Sequence, residues 1–160
     1  MGYGLHNNIV KSVSDGTAIT ANGVETLSAS YLIPANTVKV GDILTLWAQI
    51  KRTVTTAVTW NAKVYFNTSA SLSGATIVAT ANASTAQNFI CMGRIFVIKA
   101  ANITQGFQPS TYTDVDRYDD TLTFNEANID WTVNQYLIIS LTNDGASNSS
   151  VVSGCLLLKD

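Results

Sequence analysis

Ile43-Leu44-Thr45-Leu46-Trp47-Ala48-Gln49-Ile50-Lys51-Arg52 carries Leu44, Leu46, Ala48 and Ile50 at every second position. A period of two is the signature of a β-strand with one buried face. Ile43, Thr45, Trp47, Gln49 and Lys51 fall on the opposite parity, so the indole of Trp47 is expected to point away from the core. The next alternating run sets Val58, Trp60, Ala62, Val64 and Phe66 against Thr59, Asn61, Lys63 and Tyr65, which marks Trp60 as a core aromatic. Wherever a pattern can be read along the chain the period is two and not 3.6, and the fold class that follows is all-β.

Ten segments qualify as strands on apolar and β-branched content. They are Ile9–Val13, Ala18–Ala21, Thr26–Ile33, Ile43–Arg52, Ala57–Phe66, Thr76–Thr80, Phe89–Ala100, Thr121–Phe124, Gln135–Thr142 and Val151–Lys159. Asp15-Gly16, Asn22-Gly23, Gly41-Asp42, Ser73-Gly74 and Asn143-Asp144-Gly145 separate them with residues that tolerate positive φ. Asn22-Gly23 is the strongest short hairpin signal among these, and Asn102–Asp120, which contains Pro109, reads as one large loop. Many strands joined by several long connections predict an antiparallel two-sheet sandwich, jelly-roll-like, ahead of a closed up-and-down barrel. The chain contains no repeat or composition break, so residues 1–25 are expected to form an N-terminal arm with the first short strands and residues 26–160 one β-sandwich domain.

Composition narrows the function classes. The 160 residues carry a net charge of −2, and 12% are charged against 46% hydrophobic; Thr, Ser and Asn supply 48 residues, so the polar surface is mostly neutral. With so weak a field, nucleic-acid and anionic-lipid binding are excluded. No apolar run approaches the ~20 residues that span a bilayer, and Met1–Lys11 lacks the pattern of a secretory signal. Cys91 and Cys155 both lie in apolar strand-like runs, where a buried free thiol is expected, with a disulfide left open.

The search for chemistry returns little. His6, the one histidine, has no Cys or carboxylate at ligand spacing, so neither a zinc site nor His-based catalysis is expected. Nucleophile-elbow, zincin, P-loop and dinucleotide motifs are absent. Asp114, Asp116, Asp119 and Asp120 form an acidic run around Arg117 and Tyr118, but an EF-hand needs an acceptor at position 118 and Gly at 119. A solvated loop is the leading reading and a weak cation site the alternative, with Tyr112, Asp114, Asp116 and Tyr118 as candidate partner-contacting residues. Sequons at Asn67, Asn82, Asn102 and Asn148 match what chance gives in so Ser/Thr-rich a chain. No catalytic residue, metal or cofactor is expected.

Three strands are apolar on both parities. In Phe89–Ala100, Phe89, Cys91, Ile95 and Val97 oppose Ile90, Met92, Phe96 and Ile98; in Gln135–Thr142, Tyr136 and Ile138 oppose Leu137, Ile139 and Leu141. Val151–Leu158 sets Val152, Leu156 and Leu158 against Val151, Cys155 and Leu157. A solitary sandwich buries one face of each sheet, so such strands call for a second cover. A neighbouring subunit is expected, with Trp47, Phe96, Ile98 and Ile138 in the contact; the alternative is that Asn102–Asp120 folds back over this face.

Tyr31-Leu-Ile-Pro-Ala-Asn-Thr-Val-Lys-Val-Gly-Asp42, Val64-Tyr-Phe-Asn-Thr-Ser-Ala-Ser-Leu-Ser-Gly-Ala-Thr-Ile-Val-Ala-Thr80 and Ile129-Asp-Trp-Thr-Val-Asn-Gln-Tyr-Leu-Ile-Ile-Ser-Leu141 resemble a module of tailed-bacteriophage virion structural proteins. The likeness runs from about Thr26 to Leu158. It implies a jelly-roll-like, usually trimeric module that serves as capsid decoration, head-fibre tip or receptor-binding tip. The expected partners are further copies of the chain and other virion proteins such as major capsid or fibre components, with a host-surface glycan or protein receptor as the alternative. The expected location is the virion, assembled in the host cytoplasm, with Met1–Ala21 as an anchoring arm.

Overall fold

The structure, a computed structural model, describes residues 7–20, 23–53, 60–83, 89–109, 122–143 and 149–160. Eleven strands run in the order β1 (Asn7–Ser12), β2 (Ile19–Thr20), β3 (Thr26–Ile33), β4 (Ile43–Thr53), β5 (Trp60–Asn67), β6 (Thr76–Ala83), β7 (Phe89–Ala100), β8 (Ile103–Pro109), β9 (Leu122–Asn128), β10 (Gln135–Asn143) and β11 (Ser149–Lys159). Among the described residues there is no helix. The larger sheet has the order β1-β11-β4-β7-β8-β9, with β2 attached to β11, and the smaller sheet is β3-β10-β5-β6.

The pairings β1·β11, β3·β10, β4·β7 and β5·β6 are those of one long hairpin rolled so that alternate strand pairs fall in opposite sheets. That is the jelly roll, here extended past β7 by the antiparallel ribbon β8-β9. Every pairing is antiparallel, so each sheet can turn one face to the core and the other outward.

Between the sheets lie Leu44, Leu46, Ala48 and Ile50 of β4 against Trp60, Ala62, Val64 and Phe66 of β5, as their alternation requires. Phe66 makes edge-to-face contacts with Phe96 at 5.7 Å and with Trp131 at 5.1 Å between ring centroids. Trp131 in turn donates from Nε1 to the buried Thr104 hydroxyl at 2.8 Å, which satisfies both groups. Positive φ at Gly41 and Gly74 lets the chain enter β4 and β6 through tight turns without a Cβ clash.

Three expectations need correction. Phe96 and Ile98 are not outward; both are sealed in the core with Met92. Arg94 explains the misreading, because a charged residue ordinarily marks the solvent face. Here Arg94 shares the inward parity, opposite Leu46, and its guanidinium donates to the carbonyls of Gly93 at 2.6 Å and Thr80 at 3.0 Å. Ile138 does lie on the outward parity of β10, yet it is fully buried within the single chain, flanked by Ser30 and Tyr65.

Second, Ile103–Pro109 is not loop but strand β8. Third, Asn22-Gly23 does not close a hairpin of its flanking strands, since β2 pairs with β11 and β3 with β10. Gly23 has the expected positive φ, but burial assigns its two flanking strands to different sheets. The first short strands expected within residues 1–25 are β1 and β2, and both pair into the larger sheet.

Candidate functional site

The outward faces of the two sheets are finished differently. On the smaller sheet, Glu25, just ahead of β3, reaches across β10 to β5. Its Oε1 accepts hydrogen bonds from the Tyr65 and Ser140 hydroxyls, the latter at 2.6 Å, and its Oε2 accepts from Lys63 Nζ at 2.6 Å. Burial alone would push the Glu25 carboxyl up, but hydrogen bonds from Lys63, Ser140 and Tyr65, with the Lys63 charge, hold it below its ordinary value. Burial, then the Glu25 carboxylate, push the Tyr65 phenol up to about 12. With the acid kept ionised and the phenol kept protonated, this cluster is a strut and not a proton relay. It closes the middle of the face where Ile138 and Ser140 are fully buried.

Among the described residues the larger sheet has no such cover, and residues 110–120 of the stretch expected as an alternative cover lie outside them. Its outward residues form rows across β11, β4 and β7: Leu158, Thr45 and Ile95; then Leu156, Trp47 and Gly93; then Gly154, Gln49 and Cys91; then Val151, Lys51 and Phe89. Ile43 and Val97 extend the face beyond Thr45. Trp47 is 48% exposed and Phe89 42%, and both lie on strands that have neighbours on each side. Exposed apolar residues of the smaller sheet, Leu32 and Ile77, sit on its two edge strands instead.

Trp47 owes its position to Gly93. A Cβ built on that glycine would stand 3.0 Å from the indole Cζ3 and 3.4 Å from both Cε3 and Cη2. Flanking ring carbons so little farther than the nearest one mean that the ring turns its face to the glycine; an edge-on ring would hold them much farther back. The indole therefore packs flat over a gap in β7 with its opposite face to solvent, an aromatic residue filling a strand glycine's missing side chain.

Beside Trp47 is a shallow recess of about 250 Å³ lined by Lys11, Val13, Gln49, Cys91, Gly154 and Leu156 among others. A bulge in β11 opens it. The register slips between Val152 and Gly154, Ser153 shares its hydroxyl between the Gln49 carbonyl and side-chain oxygen at 3.3 and 3.1 Å, and Gly154 leaves no side chain on the outer row. Lys11, opposite Leu156, brings one charge to the recess, while Lys51 pairs with Asp15 at 3.5 Å and Lys159 with Asp42 at 3.3 Å.

Cys91 and Cys155 are both free thiols; burial pushes Cys155 up to about 12. Of the predicted contact residues, Trp47 alone is on this open face, while Phe96, Ile98 and Ile138 are not. Tyr112, Asp114, Asp116 and Tyr118 lie outside the described residues. Leu156, Ile95 and Gly93 were missed as neighbours of Trp47 because strand order, which no single strand encodes, brings them alongside it. Among the described residues no three His, Cys, Asp or Glu side chains gather at a metal-binding distance, and there is no helix long and apolar enough to cross a membrane. No family model, curated protein or solved structure matches the chain.

Proposed function

We propose that the chain is a non-enzymatic structural subunit of a tailed-bacteriophage particle, a homotrimer that decorates the capsid or forms part of a head fibre. The observation that carries this reading is the apolar face at the centre of the larger sheet, which no described residue covers, built on a jelly-roll frame whose other outward face is closed at its middle by the Glu25 strut. Jelly rolls recur as shell-building units, and the three segments that resemble phage virion modules lie on this frame. Such a subunit works by packing, with further copies as first partners and a capsid or fibre protein as the next.

Light scattering and native mass spectrometry of the purified chain test the assembly: the expected mass is three times 17.1 kDa. Proteomics of purified particles tests the location. A strict monomer at tens of micromolar, absent from particles, would overturn the proposal.

A further inference from the structure

We infer that the sandwich holds an internal water molecule at one end of its core, bound by the Trp60 indole N–H, the Asn143 side-chain oxygen and the Ser150 hydroxyl. The site lies within one chain and does not rest on the proposed function.

Four strands end their inward rows in a side chain with a polar group at this end. On β4 the row Leu44, Leu46, Ala48, Ile50 closes with Arg52, and on β5 the row from Phe66 closes with Trp60. On β10 Leu137, Ile139 and Leu141 are followed by Asn143, and on β11 the inward residues Leu157, Cys155 and Val152 lead back to Ser150. None of the four is more than 4% exposed. Register and contact join them into a ring. Ser150 lies opposite both Arg52 and Ile19 in the larger sheet, and Asn143 lies opposite Trp60 in the smaller. Two links cross between the sheets: the Arg52 guanidinium stands 5.5 Å from the centroid of the Trp60 ring, and Asn143 Nδ2 donates to the Ile19 carbonyl at 3.5 Å.

Three buried atoms of this ring have no hydrogen-bond partner among the described residues: Trp60 Nε1, Asn143 Oδ1 and Ser150 Oγ. Buried polar groups are paired with few exceptions, and ordered water serves where the chain does not. The chemistry of the three atoms selects the guest. An indole N–H only donates, so it needs an acceptor; the amide oxygen only accepts, and its own nitrogen is committed to Ile19, so it needs a donor. A metal ion offers the indole no acceptor, and a halide offers the amide no donor. Water offers both, and can give or take the third bond with Ser150. Three partners are the usual complement of a buried water. The space it needs lies beside Ser150 and Asn143, the two short side chains of the ring.

The test begins with the unmutated full chain. A crystal structure fine enough to place ordered water should show one molecule within ~3.2 Å of Trp60 Nε1 and of Asn143 Oδ1 or Ser150 Oγ. Relaxation dispersion of the water oxygen nucleus, which detects water held inside a protein, gives a readout in solution. Asn143→Leu replaces the amide with an apolar side chain of similar size and removes the acceptor. It should lower the dispersion amplitude by the contribution of one long-lived water per chain and leave the far-ultraviolet circular dichroism unchanged.

Density at that place belonging to a group of the chain itself would overturn the site, as would a halide or metal identified by its anomalous signal, or no density between the three atoms. An unchanged dispersion amplitude in a folded Asn143→Leu variant would overturn it too. Should that variant fail to fold, the density in the unmutated protein decides.

Discussion

Glu25 carries the clearest electrostatic consequence at the scale of single residues. Its carboxyl is held below its ordinary value by Lys63, Ser140 and Tyr65 against an opposing desolvation. A carboxylate whose folded value is depressed adds stability above its unfolded pKa, and that stability is lost as the pH falls through the folded value. The wild-type chain should thus lose stability on the acid side, below about pH 4.5. Glu25→Gln should flatten that limb and cost about 1 kcal/mol at neutral pH, a modest figure because the ion pair is partly solvated. Urea titrations of both proteins from pH 3 to 7 check this; parallel acid limbs would contradict it. Nothing in the sequence around Glu25 announces the strut, since its partners come from strands 38 to 115 residues away.

Strands cohere through a few side chains that join one element to another. The Trp131 indole and the Thr104 hydroxyl tie the β9–β10 connection to β8, and both are buried. Thr104→Val should cost about 1–3 kcal/mol by leaving a buried N–H without its acceptor. Combining it with Trp131→Phe should cost less than the sum of the single changes, measured as a double-mutant cycle by chemical denaturation. A second tie crosses between the sheets. Gly16 donates its N–H to the Val152 carbonyl at 2.8 Å, Thr17 donates to the Ser28 carbonyl at 2.7 Å, and the Ser28 hydroxyl accepts from Val152 N. A Cβ at Gly16 would stand only 2.4 Å from the Ser28 carbonyl oxygen. Gly16→Ala should therefore destabilise by about 1–3 kcal/mol, as overpacking does, visible as a lower thermal midpoint. β8 itself escapes a reading from sequence because Gly106 and Pro109 interrupt it. Gly106 is in fact required, since a Cβ there would press on Phe96 at 3.2 Å.

Across the whole molecule, the jelly-roll order assigns each apolar residue to the core or to the open face. Phe96 belongs to the core with Phe66, so Phe96→Ala should cost about 3–5 kcal/mol of folding stability; a loss of association without that loss of stability would contradict its placement. The open face is mostly uncharged, with Lys11 beside the recess and ion pairs at Lys51 and Lys159. Association through it should accordingly change little between 0.05 and 1 M sodium chloride, on the order of a fewfold in Kd, because screening acts on charges and not on apolar burial. Sedimentation velocity at the two salt concentrations measures this, and dissociation at high salt would point to an ionic contact elsewhere.

Alternation in Ile43–Arg52 and in the run ending at Phe66 is a local property of the chain, and it sufficed to establish an all-β sandwich, the inward sets of β4 and β5, the core position of Trp60, and the outward Trp47. Strands apolar on both parities carry no such instruction. For them the inner face is selected by which neighbours the fold supplies: carbonyl oxygens of Gly93 and Thr80 let Arg94 point inward and carry Phe96 and Ile98 with it. Likewise, Ile138 is covered by its own chain while Trp47 is not, because the Glu25 strut and the Gly93 gap are products of tertiary proximity. Burial is a relation between segments far apart in sequence, and a pattern within one strand cannot express it.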